Sequence, residues 1–203
     1  MTTSANVTWH AGVVERTQRW ESIGQRGATV WFTGLPASGK STVSAAVEAE
    51  LVRAGRAAYR LDGDNLRHGV CGDLGFTAED RDRNVRRTAE VARLFADAGV
   101  VALVSVVSPY ASARAFAREL HERDGLRFIE VFVNTPIEVC EERDPKGLYA
   151  RAKAGELTGF TGVDDPYEPP VAPDVELRCL DIELAVERVL EALDGTTEPP
   201  ADA

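Results

Sequence analysis

At 203 residues the chain has the size of one domain and enough length to bury a sizeable core, and a hydrophobic share of 44% places it among globular rather than disordered sequences. A net charge of −10 excludes a general affinity for nucleic acid or an anionic membrane surface, so an anionic small molecule has to be held by local basic groups. No charged segment followed by an apolar run opens the chain, residues 100–107 are too short to span a bilayer, and Cys71, Cys140 and Cys179 are too far apart for a C-x-x-C pair or metal cluster; the reading is a cytoplasmic protein with reduced thiols.

Residues 1–26 are mixed and polar, although Val13, Val14, Arg16, Arg19 and Trp20 predict a short helix packed on the domain edge, with Trp9 and Trp20 as packing anchors. Residues 28–32 form an apolar strand. It leads directly into Thr33-Gly34-Leu35-Pro36-Ala37-Ser38-Gly39-Lys40-Ser41-Thr42, which fits the phosphate-loop pattern G-x-x-x-x-G-K-[ST]. Two glycines at that spacing let the backbone wrap a phosphate so that successive N–H groups point at it. Lys40 brings a mobile charge to the β- and γ-phosphates, Ser41 offers a hydroxyl to Mg²⁺, and the helix expected over 43–52 adds the partial positive charge of its N-terminus.

Residues 56–61 read as a second strand running into Asp62-Gly63-Asp64-Asn65-Leu66-Arg67-His68. The spacing predicts a helix over 80–98, with Val91, Leu94, Phe95 and Ala98 on its apolar face and Arg81, Asn84 and Thr88 on another. A strand over 100–107, apolar enough to be buried on both faces, is ended by Ser108-Pro109, and a helix over 111–123 follows. Next come a strand over 128–133 and a helix opened by Pro136. Residues 141–170 contain eight Gly or Pro in thirty positions and read as an irregular lid. A strand over 175–179, a helix over 182–193 and a disordered tail over 195–203 close the chain.

Strands alternating with helices predict an α/β chain with a central parallel sheet flanked by helices in three layers: one domain, core 27–193, mobile lid 141–170. In such sheets ligands bind beyond the carboxyl ends of the strands. Residues 34–40, 62–67 and Ser108 all fall at such ends, so they are expected to line one crevice.

No aspartate ends the strand 100–107, where many phosphate-loop enzymes keep a metal ligand, so Asp62 and Asp64 are the replacement candidates. Asp-Gly-Asp-Asn is also good turn chemistry with a helix cap. Arg83, Arg86 and Arg87 read as a solvated face paired with Asp80, Asp82 and Glu90. Phe76 and Phe160 stand beside glycines in loops, unlike core phenylalanines.

With these pieces assembled the chain resembles the adenylyl-sulfate kinases, with the P-loop NTPase-like fold of such enzymes. The resemblance rests on Gly34 to Thr42, Leu61 to Gly69, Asp73-Leu74-Gly75-Phe76, Asp80-Arg81 with Asn84-Val85-Arg86-Arg87, Ser108-Pro109-Tyr110, Glu142 to Tyr149, and Gly159 to Glu168, and it spans roughly 7–193. Ala111 stands where that family often has arginine, and Asn134 where it usually has aspartate.

The resemblance implies transfer of the ATP γ-phosphate to the 3′-hydroxyl of adenosine 5′-phosphosulfate. It places ATP on residues 34–42 and Arg143, and Mg²⁺ on Ser41 and Asp62. Lys40, Asp62, Asp64 and Ser108 take catalytic roles, with Asp64 toward the acceptor hydroxyl. The acceptor falls to Asp64, Arg67, Phe76, Arg81, Asn84, Val107, Ser108, Lys146, Gly159 and Phe160, with the two phenylalanines clamping its adenine. Arg143 and Lys146 also read as surface charges, and Ser108 either as a phosphoserine intermediate or as a positioning group. A homodimer is implied, and coupling to an ATP sulfurylase is left open. Another small phosphate-loop kinase and a catalytically inert nucleotide-binding subunit are the rival readings.

Overall fold

A parallel sheet made of β1 (Ala28–Thr33), β2 (Ala58–Asp62), β3 (Val101–Ser105), β4 (Arg127–Val133) and β5 (Val175–Leu177) runs in the order β2-β3-β1-β4-β5. This computed structural model describes residues 6–8, 10, 12–178 and 181–195; Trp9, Cys179 and the expected tail over 196–203 lie outside the described residues. Central strand β1 sets Val30 opposite Leu103 on one side and Ile129 on the other. All six of its residues are buried because helices cover both faces.

Side chains alternate between two cores with the strand period of two. Val30 and Phe32 join Val43, Val47 and Leu51 of α2 (Lys40–Arg53) and Val186 and Val189 of α8 (Ile182–Asp194). Trp31 points the other way, toward Val85, Ala89 and Ala92 of α4 (Ala78–Asp97) and Ala113 and Ala117 of α5 (Ala111–Arg123). Helices α1 (Arg16–Ile23), α3 (Gly63–Leu66), α6 (Ile137–Arg143) and α7 (Leu148–Lys153) complete the described set. Among the described residues no helix is long and apolar enough to cross a membrane.

The three-layer parallel architecture and the alternation of strands and helices agree with the sequence reading. Three expectations need correction. The inward face of α4 is Val85, Ala89, Ala92 and Ala96, and it includes Asn84 and Thr88; Leu94 is 57% exposed, and Val91 and Phe95 only flank the core. Alanines carry little hydropathy, but their small size lets α4 approach the sheet closely, so the larger residues that dominated the pattern lie at its margin. Val13 and Val14 are exposed and precede α1; the edge helix is held instead by Trp20 Nε1 donating to the Ala96 and Asp97 carbonyls at 3.2 Å, and by Arg16 and Arg19 on Asp97. The 141–170 stretch contains helix α7, and its Tyr149, Ala152 and Phe160 form a small core with Cys140 of α6 rather than irregular chain throughout.

The α4 correction has a stability consequence. Ala89→Leu is expected to destabilise by about 1–3 kcal/mol through overpacking, whereas Leu94→Gln stays within about 0.5 kcal/mol of the unmodified chain. Urea denaturation at constant m reads both; equal effects at the two positions would contradict the face assigned to α4.

Candidate active site

The phosphate loop begins where β1 ends, and its shape depends on glycine at both ends. Gly34 has φ 150°, and a Cβ there would meet the Val133 carbonyl oxygen at 2.6 Å and Ser38 Oγ at 2.9 Å. Gly39, at φ 107°, caps α2 in a left-handed conformation. Between them Ala37 also has a positive φ of 59°, a strained state for a residue with a Cβ. Two outside contacts hold the loop in that shape: Tyr149 Oη donates to the Pro36 carbonyl at 3.1 Å, and Thr135 Oγ1 donates to the Ser38 carbonyl at 2.7 Å. Arg143 reaches the same Ser38 carbonyl at 3.3 Å, which puts it on the loop rather than on an unrelated surface.

Lys40 is 8% exposed and folds back into the loop, with Nζ donating to the Gly34 carbonyl at 3.0 Å, the Leu35 carbonyl at 2.7 Å and Ser38 Oγ at 3.3 Å. Burial outweighs the acidic groups of Cys140, Asp62 and Asp64 and pulls its pKa down to about 8.

Asp62, at the end of β2, caps the short helix that follows and also meets the phosphate loop. Its Oδ1 accepts from Asp64 N at 3.0 Å and caps α3, while Oδ2 accepts from Ser41 Oγ at 2.7 Å and Arg60 Nη1 at 3.2 Å. Among the described residues no cluster of three or more His, Cys, Asp or Glu side chains forms a metal cage. A hydroxyl beside a carboxylate still fits Mg²⁺, which prefers hard oxygens and takes few protein ligands when phosphates and water complete its shell. Asp64 is exposed and ion-paired to Lys146, so that lysine faces the loop between β2 and α4.

Opposite these groups lies an arginine-rich wall. The Arg67 guanidinium stacks 4.2 Å from the Phe76 ring centroid, and its Nη1 donates to the Leu74 and Gly75 carbonyls at 3.1 and 2.9 Å. Arg81 Nε donates to the Phe76 carbonyl at 3.1 Å, and its Nη2 donates to the Gly159 carbonyl, joining α4 to the start of the 159–168 run. Asn84 is buried, yet among the described residues its Nδ2 has no hydrogen-bond partner. Arg83, Arg86 and Arg87 are paired instead with Glu79, Asp82 and Asp73, a solvated face with partly different partners from those expected.

The two phenylalanines differ. Phe76 is 60% exposed, whereas Phe160 is 7% exposed and packs edge-on to Tyr149 with centroids 4.9 Å apart. The inference that neither is a core residue therefore fails for Phe160, because the lid has a core of its own. Gly159 has φ 68°, and its N–H and that of Phe160 both donate to Asp164 at 2.7 Å.

Ser108 follows β3 at φ 41° and is 2% exposed. Its Oγ accepts from Trp31 Nε1 at 3.1 Å and donates to Thr33 Oγ1 at 2.9 Å. Half-buried Val107 offers its carbonyl to Thr33 Oγ1 at 2.8 Å. Sequence reasoning missed Arg114, Glu130 and Tyr167 behind this turn, and Tyr149, which braces the phosphate loop. Two of them carried a signal, since Glu130 is a charge inside the apolar strand β4 and Arg114 shares a helix face with Ala113 and Ala117.

A parallel sheet with a phosphate loop after its first strand defines a phosphate-loop nucleotide-binding protein. The family model described as adenylylsulphate kinase matches residues 26–178. An adenylyl-sulfate kinase of Penicillium chrysogenum is 48% identical over 98% of this chain and 98% of its own length, and one of an Enterobacter species is 54% identical over 85% of each. The solved structure of the Mycobacterium tuberculosis APS kinase CysC in complex with AMPPNP and APS superposes with a TM-score of 0.82 at 52% identity, covering 84% of this chain and 99% of that one. The chain belongs to the adenylyl-sulfate kinase family.

Removal of the loop's buried charge gives a direct test. Lys40→Ala is expected to lower turnover by about 10²–10³-fold. Because free Lys40 loses its proton near pH 8, kcat/KM for ATP should fall as pH rises through about 8. That limb should be absent in Lys40→Arg; an unchanged limb would assign it to another group.

Proposed function

We propose that this chain transfers the γ-phosphate of ATP to the 3′-hydroxyl of adenosine 5′-phosphosulfate, giving ADP and 3′-phosphoadenosine 5′-phosphosulfate in sulfate assimilation. The observation that carries the reading is the meeting, at one sheet end, of the phosphate loop and the Arg67, Phe76, Arg81 and Asn84 wall, with Asp62-Gly63-Asp64 between them.

Phosphoryl transfer asks the protein mainly for position and charge neutralisation. Backbone N–H groups from Gly34 to Thr42 hold the donor phosphates, and Lys40 exchanges its carbonyl partners for their oxygens. Arg143, already on the Ser38 carbonyl, flanks the ATP side. Ser41 and Asp62 are the residues that would hold Mg²⁺. When bound, that ion neutralises charge on the phosphate oxygens.

Arg67 and Arg81, with the orphan amide of Asn84, bind the acceptor's phosphosulfate group; forked guanidinium geometry suits such oxygens better than an ammonium does. The exposed Phe76 ring stacks on the acceptor's adenine, and Gly159 and Phe160 close the opposite side as part of a lid that moves over the bound pair. The 3′-oxygen attacks the γ-phosphorus as the bond to the β-phosphate oxygen breaks, and its proton passes to the Asp64 carboxylate. Lys146 leaves that carboxylate for the bound anions. A cytoplasmic homodimer, supplied with its acceptor by an ATP sulfurylase, completes the proposal.

The buried hydroxyl of Ser108, occupied by Trp31 and Thr33, favours positioning of Val107 and the turn over a phosphoserine intermediate. Two measurements separate the possibilities. ADP release from Mg-ATP should be stimulated by adenosine 5′-phosphosulfate and not by AMP, gluconate or shikimate; no stimulation by the sulfated nucleotide ends the reading. Ser108→Ala should cost about tenfold or less in turnover, the scale of one neutral hydrogen bond. A loss to background would restore the covalent route.

A further inference from the structure

Arg114 is 4% exposed on the inner face of α5, and its guanidinium is divided among segments far apart in the chain. Nε donates to Glu130 Oε1 of β4 at 2.9 Å, Nη1 to the carbonyl of Ser108 at 2.7 Å, and Nη2 to the carbonyl of Glu168 at 2.6 Å. Glu168 is itself clasped to the turn after β3: its N–H donates to the Pro109 carbonyl at 2.8 Å, and its Oε2 accepts from Ala111 N at 2.6 Å. Beside it Tyr167 stacks on Phe132 and exchanges a hydrogen bond of 3.0 Å with Thr33.

These bonds fasten the far end of the 159–168 run to the end of β3. Tyr110 of the same turn adds a bond to Asp165 at 3.0 Å, whereas the near end of the run is fastened separately, through Arg81 on the Gly159 carbonyl. The phosphate loop has its own braces, Thr135 and Tyr149, and receives no bond from Arg114. A fork with its donors aimed in three directions cannot be replaced by the single ammonium of lysine.

We propose that Arg114 is a positioning residue for the acceptor side of the reaction. By tying the Glu168 carbonyl to the left-handed turn at Ser108, and both to Glu130 of the sheet, it sets the height at which Gly159 and Phe160 face Phe76, Arg67 and Arg81. It touches neither nucleotide. The inference rests on the proposed function and assigns that function a determinant of acceptor affinity distinct from ATP affinity.

The test compares wild type with Arg114→Lys and Ala111→Pro. The second variant deletes only the N–H that Glu168 accepts, at the first position of α5 where proline is favoured, and Tyr110 already has the extended backbone that a following proline requires. Initial rates are measured against adenosine 5′-phosphosulfate at saturating Mg-ATP and the reverse, with thermal melting alongside. Arg114→Lys should raise the acceptor KM at least about tenfold and Ala111→Pro about threefold, both leaving the ATP KM within twofold, and Ala111→Pro should melt as wild type does. The two KM values rising together with a lowered melting point would make the network merely structural and overturn the inference, as would an unmoved acceptor KM in Ala111→Pro. If Arg114→Lys does not fold, Ala111→Pro decides alone. A wild type inactive with the sulfated nucleotide removes the function and this inference together, whereas an active wild type with unmoved variants removes only the inference.

Discussion

The site depends first on how closely two stretches of backbone approach each other at the carboxyl end of the sheet. Gly34 lies so near the end of β4 that even a methyl group there would overlap the Val133 carbonyl oxygen. This contact seats the phosphate loop directly on the central pair of strands, with the left-handed Ala37 in the middle of the loop. Strain at that residue is on the order of 1–3 kcal/mol. It is sustained by the flanking glycines and by Thr135 and Tyr149, whose hydroxyls hold the neighbouring carbonyls.

A chain of net charge −10 meets a second constraint in binding two polyanionic nucleotides. Two of its basic groups are kept ready on backbone carbonyls, Lys40 on those of Gly34 and Leu35 and Arg67 on those of Leu74 and Gly75, whereas Arg81 combines the Phe76 and Gly159 carbonyls with Asp165 at 3.9 Å and Lys146 pairs with Asp64. A carbonyl fixes direction without cancelling charge. At Lys40 and Arg67 an incoming anion therefore displaces a neutral partner instead of breaking an ion pair. Arg83, Arg86 and Arg87 of α4, paired with Glu79, Asp82 and Asp73, show the contrast: their charges are neutralised locally and contribute little to the cleft.

Much of this was legible in the order of residues because it depends on local chemistry. The phosphate loop needs its glycines and lysine at fixed spacing, α5 is bounded by a Ser-Pro turn and an Asp-Gly stop, and the inner strands β1 and β3 have the continuous apolar character that burial on both faces requires. What escaped depends on size and on distant partners. The core face of α4 is lined by alanines, whose contribution is closeness rather than hydropathy, so Leu94 looked more buried than it is. Phe160 looked like a loop aromatic because Tyr149, the residue it packs against, belongs to a separate helix. Arg114 and Glu130 were visible as misplaced charges, but only the folded chain shows that Ser108 and Glu168 complete their set.

The two carboxylates of Asp62-Gly63-Asp64 show how burial assigns different duties to identical groups two residues apart. Asp62 is 7% exposed and fully engaged, with Ser41, Arg60 and the Asp64 N–H on its two oxygens. Leaving those donors unpaired would cost several times what a surface contact is worth, so Asp62 is a fixed feature of the phosphate-loop side. Asp64 has only Lys146 on its carboxylate, across a solvent-exposed pair. Exposed pairs contribute about 0–1 kcal/mol. The carboxylate proposed to exchange partners during transfer is therefore the one held by the weaker contact, and the one proposed to stay still is held on both oxygens.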